Sequence, residues 1–270
     1  MTNMSVTTRL LGTALLVALC TPAAAASVNE GLDALNKKQF EVAAKQFSES
    51  FDKGDADGGF YLGRMLELGV GSKPNPAGAL LLYKAAAEKK SAKAMNRLGL
   101  MHYRGELGVL QDQDTAKKFL CGAADAGDKD AQFNCAELIA SAVPADGDMK
   151  PALAYYEKAA AQNHIGALNT VAMIYKAGKG VKPDLDKARK YFEDTASRGN
   201  PIGLFELGLM NERGAPMTKN LAKAHLYYNL ANARQHPDAA AALQRVSPQM
   251  ASEDVARAQA EARGWKSKTE

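Results

Sequence analysis

The sequence predicts an all-α protein, built as an α-solenoid of about seven helical hairpins. Three observations predict it: an apolar share that leans on Ala and Leu, two patterns that recur about every 36 residues, and Gly- or Pro-bearing turns between them. Hydrophobic residues make up 46% and charged residues 24%, which is typical of a globular protein. With 34 Lys and Arg against 30 Asp and Glu, the net charge of +4 does not indicate a nucleic-acid partner.

The first 26 residues have the pattern of an export signal. Arg9 precedes an apolar run, Leu10–Leu19, that is too short to span a bilayer as an anchor helix, and a run of alanines ends at Ala26. We expect cleavage after Ala26. Lipoprotein anchoring at Cys20 is disfavoured, because Leu19 stands where such sites resemble one another in having a small residue. The mature chain is therefore expected in a bacterial periplasm or outside the cell.

Two patterns divide the remaining chain into repeated units. The first places a small residue after an apolar one, at Gly63, Gly99, Ala136, Ala172 and Gly208. The second begins with Ala and continues to an aromatic residue, and it starts at Ala43, Ala79, Ala116, Ala152, Ala188 and Ala224. Both have a period of 36 residues with a single step of 37, which falls in the segment RGELGVLQDQDTA. Agreement between the two patterns predicts one unit repeated along the chain.

Each unit is predicted to be a helical hairpin. Leu98 and His102 share one helix face, as do Ala152 and Tyr156, because residues four apart lie on the same side of a helix. Turns such as LGVGSKPNP, KAGKGVKPD and RGAPMTKN separate the helices. A single hairpin cannot bury its apolar face, so successive hairpins must stack. The residues expected to fill the space beside the small residues are Tyr83, Tyr156, Tyr191 and Tyr228.

One segment carries a resemblance to a known family. GALNTVAMIYKAGKGVKPDLDKARKYFEDTASRG is similar to the Sel-one-like repeat (SLR), a branch of the tetratricopeptide superfamily. The family pattern is met at Ala167, Tyr175, Gly178, Gly180, Val181, Asp184, Lys187 and Ala188. Val171 and Ala172 replace its Leu-Gly pair, and the unit around Cys135 has ASAVPADGD in place of the Gly-rich turn.

The resemblance implies an organisation of the chain in four parts. Residues 1–26 are the export signal, and 27–54 form an N-terminal hairpin like that of a tetratricopeptide repeat. Residues 55–236 hold the SLR repeats. Residues 237–270 hold a C-terminal repeat and a capping helix with a short polar tail, and we expect Ser252 to cap the start of that helix.

Cys121 and Cys135 follow the export signal, and an even number of cysteines in an oxidising compartment suggests a disulfide. They are predicted to lie in the second helix of one hairpin and the first helix of the next. Residues paired across the turn between those helices have numbers summing to about 255 or 256, and these two sum to 256. We therefore expect them to face each other. Two free buried thiols remain the alternative.

Catalytic and metal-binding patterns are sparse. The histidines, which fall in four different hairpins without a metal-ligand spacing, are His102, His164, His225 and His236. No metal and no cofactor is therefore expected. Ser50 and Lys53 fit the S-x-x-K string of penicillin-recognising enzymes, and the resemblance implies a β-lactamase-like or peptidoglycan-interacting serine hydrolase as an alternative. Because the S-D-N and K-T-G partner motifs are absent, we do not expect an enzyme.

The resemblance also implies a binding groove. In tetratricopeptide-like arrays the first helix of each hairpin lines the concave face, through the residues two before, two after and five after the recurring apolar residue. The first position gives Phe60, Asn96, Phe133, Asn169 and Phe205. The second gives Arg64, Leu100, Glu137, Met173 and Leu209, and the third gives Glu67, Tyr103, Ala140, Lys176 and Glu212. Aromatic anchors, a flexible Met and charges suit a protein- or peptide-binding surface, although the Phe residues could instead pack against neighbouring helices.

The sequence therefore predicts a non-enzymatic periplasmic adaptor or scaffold. Its expected partner is a protein or peptide of the cell envelope, bound on the concave face. We expect no nucleic-acid partner, no transmembrane segment after signal cleavage, and a monomer. The resemblance implies a further alternative, an outer-membrane-associated scaffold for exopolysaccharide export.

Overall fold

The computed structural model describes residues 27–144 and 147–268. Within these ranges the chain forms fourteen α-helices and one short 3-10 helix, and no strand. The predicted all-α solenoid is confirmed. The predicted export signal, residues 1–26, lies outside the described residues.

The helices, numbered α1 to α14 in chain order, follow one another as successive pairs. The first helices of the pairs are α1 (Val28–Asn36), α3 (Ala56–Leu68), α5 (Ala92–Arg104), α7 (Lys129–Ser141), α9 (Ile165–Ala177), α11 (Pro201–Arg213) and α13 (Ala239–Val246). The second helices are α2 (Phe40–Asp52), α4 (Pro76–Glu88), α6 (Gln113–Asp125), α8 (Lys150–Ala161), α10 (Leu185–Ser197), α12 (Leu221–Ala233) and α14 (Ser252–Gly264). The 3-10 helix, Ser247–Gln249, lies between α13 and α14.

Each helix from α1 to α12 packs against the next one along the chain, as stacked hairpins require. The first helices α1, α3, α5 and α7 also contact one another in turn, which places them on the inner side of the array. The last pair differs, because α13 and α14 both pack against α12 instead of forming a hairpin. Ser252 is the first residue of α14 and not its cap, so that expectation was wrong; the cap is Ala251, which has no side-chain acceptor.

Four hairpins share the same connection between their helices. Their first helices α3, α5, α9 and α11 end at a glycine with a left-handed φ of 68–72°, a conformation that glycine adopts without steric cost. Their second helices begin at an Asn or Asp whose side chain accepts a main-chain N–H of the first turn. The main-chain N–H of each cap returns to a carbonyl of the first helix, in the pairs Asn75–Leu66, Asp112–His102, Asp184–Tyr175 and Asn220–Asn211, at 2.8–2.9 Å.

The core of each hairpin places a small residue against a large one. A Cβ atom added to Gly63 would lie 2.8 Å from Cε1 of Tyr83, which is closer than atoms can approach without a shift. In the hairpin of α9 and α10, the prediction that Tyr191 fills the space beside the small residue is wrong. Phe192 is fully buried and packs in one cluster with Ala172, whereas Tyr191 lies only partly buried at the edge of that cluster.

The disulfide between Cys121 and Cys135 is present. It joins α6 to α7, with a Cα–Cα distance of 5.0 Å. Because α6 ends one hairpin and α7 begins the next, the bridge links two neighbouring repeats covalently.

Candidate binding groove

The inner face of the array carries two hollows, both lined mainly by first helices. The N-terminal hollow has a volume of about 400 Å³, and its lining includes Phe60, Arg64, Lys93, Asn96, Arg97 and Leu100. The central hollow has a volume of about 710 Å³, and its lining includes Glu137, Ala140, Asn169, Thr170, Met173 and Ile202. The structure therefore brings residues from all three predicted groove positions together in these hollows.

The three predicted phenylalanine anchors are partly buried. The ring of Phe133 stacks on His164 with centroids 4.5 Å apart, and it lies 5.7 Å from Tyr156. Phe205, two repeats later, has the same surroundings, because its ring stacks on His236 and lies against Tyr228 of α12. Phe60 contacts the ring of Tyr83, in α4, without a stacked histidine. Each phenylalanine thus rests on the second helix of its own hairpin and keeps part of its surface exposed.

Buried tyrosines hold three of the glutamates that the sequence assigned to the groove. The phenol O–H groups donate from Tyr83 to Glu67, from Tyr156 to Glu137 and from Tyr228 to Glu212, at 2.6, 2.6 and 2.5 Å. Burial is the main cause that raises the pKa of all three tyrosines, so they remain protonated donors at physiological pH. The residues that fill the core therefore also orient carboxylates toward the groove.

The Glu67 carboxylate is neutralised by Arg64 and Arg97, two residues that line the N-terminal hollow. Burial alone would raise the pKa of Glu67, but hydrogen bonds and positive charge from Arg97, Tyr83 and Arg64 outweigh it and hold the pKa below its ordinary value. Arg97 bonds both Glu67 and Glu106; its contact with the latter is 2.7 Å long. These cations are thus already engaged within the chain.

Two further groove glutamates are also paired with cations. Glu212 accepts two hydrogen bonds from Arg245, at 2.8 and 2.7 Å, which are the main cause of its lowered pKa. Glu206 accepts a bond of 2.5 Å from Lys176. Glu137 differs: in residues 27–144 and 147–268 it forms no ion pair.

Asn169 presents an unsatisfied acceptor in the central hollow. Its side chain is 8% exposed, and its Nδ2 donates to Oδ1 of Asn200 over 3.2 Å. Its own Oδ1 is buried and accepts no hydrogen bond from the described part of the chain. A buried acceptor without a donor costs free energy, so Asn169 is a lining residue whose amide oxygen lacks a hydrogen bond.

The remaining predicted groove residues have different surroundings. Leu100 and Leu209 are partly buried against core clusters, and Asn96 accepts a hydrogen bond from Asn134 over 2.9 Å. Tyr103 is exposed near the end of α5.

Sequence reasoning missed the position directly before the recurring apolar residue. That position supplies Arg97, Thr170 and Glu206, all of which line a hollow. The signal was available, because this residue lies three before the second predicted position, and residues three apart are neighbours on a helix. Thr170 and Met173 form one such pair.

The candidate catalytic serine is inaccessible in this structure. Ser50 is 2% exposed, near the end of α2. The four histidines lie apart in the described ranges, where no group of three or more His, Cys, Asp or Glu side chains could hold a metal ion. No helix of the described chain is both long enough and apolar enough to cross a bilayer.

A curved stack of helical hairpins with a lined inner face defines this protein as an α-solenoid repeat protein of the tetratricopeptide type. The chain belongs to the Sel1 repeat family. The five matched segments are residues 58–91, 92–128, 129–164, 166–200 and 201–236.

Solved structures share this fold. A Sel1 repeat protein from Oxalobacter formigenes is 26% identical, with a TM-score of 0.71 over 88% of this chain and 99% of its own. A protective antigen of uropathogenic Escherichia coli, described as displaying an SLR fold, is 21% identical, with a TM-score of 0.73 over 86% of this chain and 52% of its own. The second likeness shows the fold alone.

An uncharacterised protein of Neisseria meningitidis is 29% identical over 161 residues, which are 60% of this chain. The match spans 33% of that relative's length. The matched part of this chain therefore spans about a third of that larger relative.

Proposed function

We propose that this chain is a non-enzymatic adaptor of the cell envelope that binds a protein or peptide partner along its inner face. Sel1 repeats typically form scaffolds for protein–protein interaction, and the family membership supports that class. The finer proposal is that the chain acts in the periplasm, which the export-signal pattern of residues 1–26 and the disulfide support. That the chain is a monomer stays a prediction. Disulfides persist mainly in oxidising compartments. The exopolysaccharide-export setting stays a prediction.

The observation that carries the proposal is the exposed apolar surface of the central hollow. Met173 and Ile202 are each 42% exposed, on neighbouring first helices, and both line this hollow. Large apolar side chains grouped in a concavity favour burial by a partner, because each square ångström removed from water contributes about 25 cal/mol. The hollow volume of about 710 Å³ can take several side chains of such a partner.

Site-specific photo-crosslinking tests this proposal. A photoreactive amino acid replaces Ile202 in the full chain, which is then irradiated in the envelope fraction of its source cells. We expect one discrete adduct with a partner protein. The matched control places the same amino acid at Leu81, which is 69% exposed on α4 and lines neither hollow.

The adduct should form at Ile202 and be absent at Leu81. It should also weaken when Met173→Asp is added, because a charge on the apolar floor opposes burial. The same adducts at both positions, or none at Ile202, would refute groove binding.

A further inference from the structure

Glu137 is the unpaired member of a set of otherwise neutralised groove carboxylates. The groove glutamates on first helices are Glu67, Glu137, Glu206 and Glu212. All except Glu137 have a cationic side chain of the chain itself within 4 Å. Glu137 is exposed, and the hydroxyl of Tyr156 holds one of its oxygens at 2.6 Å. A carboxylate held in place in this way can accept a charge-assisted hydrogen bond from an incoming cation.

Another repeat shows how the chain itself can supply such a cation, to Glu67 at the third groove position, whereas Glu137 stands at the second. The tyrosine-bound Glu67 is paired with Arg97, which lines the N-terminal hollow and stands directly before the recurring apolar residue of the next first helix. The corresponding residue one helix after Glu137 is Thr170, which lines the same hollow and carries no charge. The chain thus supplies a guanidinium at one end of the groove and leaves the central hollow without one.

The remaining lining specifies what accompanies the cation. Met173 and Ile202 provide an exposed apolar floor, and Ala140, at the groove position where other repeats carry a longer side chain, leaves space above it. The buried Oδ1 of Asn169 needs a donor, which the N–H of a peptide main chain would supply. Lys179 also lines the hollow, and it forms no ion pair in the described ranges. A cation near Glu137 is the better-supported occupant, because Tyr156 fixes that carboxylate.

We infer that the central hollow binds a peptide segment with a basic side chain close to an apolar one. In this arrangement the Arg or Lys of the peptide pairs with Glu137, the apolar side chain covers Met173 and Ile202, and a main-chain N–H bonds Asn169. This inference rests on the proposed function and names the chemistry of its partner. It would hold for any partner protein that presents such a segment.

Peptide selection followed by charge exchange tests the inference. The full chain, with its disulfide intact, selects binders from a phage-displayed library of random 12-residue peptides. We expect enriched peptides to share an Arg or Lys within a few positions of an apolar residue. The strongest of them is then labelled with fluorescein, and its Kd is measured by fluorescence anisotropy.

Variants of Glu137 should change that Kd in a charge-dependent way. Glu137→Gln keeps an acceptor for the hydroxyl of Tyr156 and so preserves the local fold, yet it should weaken binding about tenfold or more. Glu137→Lys should abolish binding of the basic peptide and bind the version in which the basic residue is replaced by Glu. Glu193→Gln, which removes a carboxylate bonded to Arg189 on α10, is the matched control and should leave the Kd unchanged.

Three outcomes would overturn the inference. If Glu137→Gln binds like the wild type while Met173→Asp does not bind, the groove function stands and the basic anchor is wrong. If acidic peptides are selected and depend on Lys179, the occupant has the opposite charge. If no peptide is selected and crosslinking at Ile202 yields no adduct, the proposed function fails as well.

Discussion

The disulfide should contribute a measurable part of the stability of this array. Cys121 and Cys135 are separated by 14 residues, and closing a loop of that length stabilises a protein by about 3 kcal/mol in the chain-entropy model. Reduction changes no other covalent bond and no other side chain, so it isolates the contribution of the bridge. Because each repeat of a solenoid contacts only its neighbours, the loss should be largest at the α6–α7 junction.

Urea unfolding followed by circular dichroism measures this contribution. With an m-value of about 3 kcal/mol per molar, a loss of about 3 kcal/mol lowers the midpoint by about 1 M in the reduced protein. The double variant Cys121→Ala and Cys135→Ala should have the lower midpoint with and without reductant. Hydrogen exchange should show that α6 and α7 lose most protection on reduction.

Two results would refute this reasoning. Mapping of labelled thiols in the denatured, unreduced chain should find both residues unreactive; labelling of Cys121 and Cys135 would show that no bridge forms. An unchanged midpoint on reduction, despite an intact bridge beforehand, would show that the loop closure contributes nothing to the free energy of unfolding.

Two further predictions concern packing and protonation. Gly208→Ala should destabilise the protein by about 1–3 kcal/mol, because the added Cβ would lie 2.4 Å from Cε1 of Tyr228. Gly264→Ala is the control and should leave the urea midpoint unchanged, because nothing lies within 4 Å of its Cβ. Equal midpoints for the two variants would contradict the prediction. Burial lowers the pKa of His225 in the folded protein. Below the ordinary histidine pKa of about 6.5, the unfolded chain therefore binds more protons than the folded chain. The free energy of unfolding should fall as the pH drops from 7 to 5. In urea titrations, His225→Gln should make the free energy of unfolding less dependent on pH. The same pH dependence in the wild type and the variant would contradict the prediction.

The repeat period was enough to predict the helices and the disulfide. Period and turn positions fix which residues lie opposite each other across a short antiparallel turn, so the pairing of Cys121 with Cys135 followed from counting. The same counting was less successful where a repeat departs from the pattern. In the hairpin of α9 and α10 two adjacent aromatics compete for one space, and the sequence alone favoured Tyr191 over Phe192. Beyond the last full repeat, the packing of α13 and α14 on α12 could not be predicted, because no period extends there.

The groove was predictable as a set of positions, and its chemistry was not. Glu137 was assigned to the groove by its place in the repeat, but its bond with Tyr156 depends on side-chain rotamers and on the distance between α7 and α8. Likewise, Arg97 and Thr170 occupy matching places in different repeats, and only the structure shows that one neutralises a glutamate while the other leaves one unpaired. The period predicts which helix face a residue occupies. The hydrogen-bond partner of a polar side chain often lies in a neighbouring repeat, and the period does not predict it.

The connection between α7 and α8 distinguishes this hairpin from the four that share one connection. Its first helix ends at Ala142 in a right-handed conformation, and α8 begins after Met149, which has no side-chain cap. In the described part of this connection, no cap N–H returns to the first helix as it does in the other four. In the four other hairpins, each hydrogen bond of this kind contributes about 1 kcal/mol to the packing of the two helices. This hairpin carries both Glu137 and Tyr156, so the groove glutamate without an ion pair belongs to the hairpin whose connection departs from the shared cap geometry.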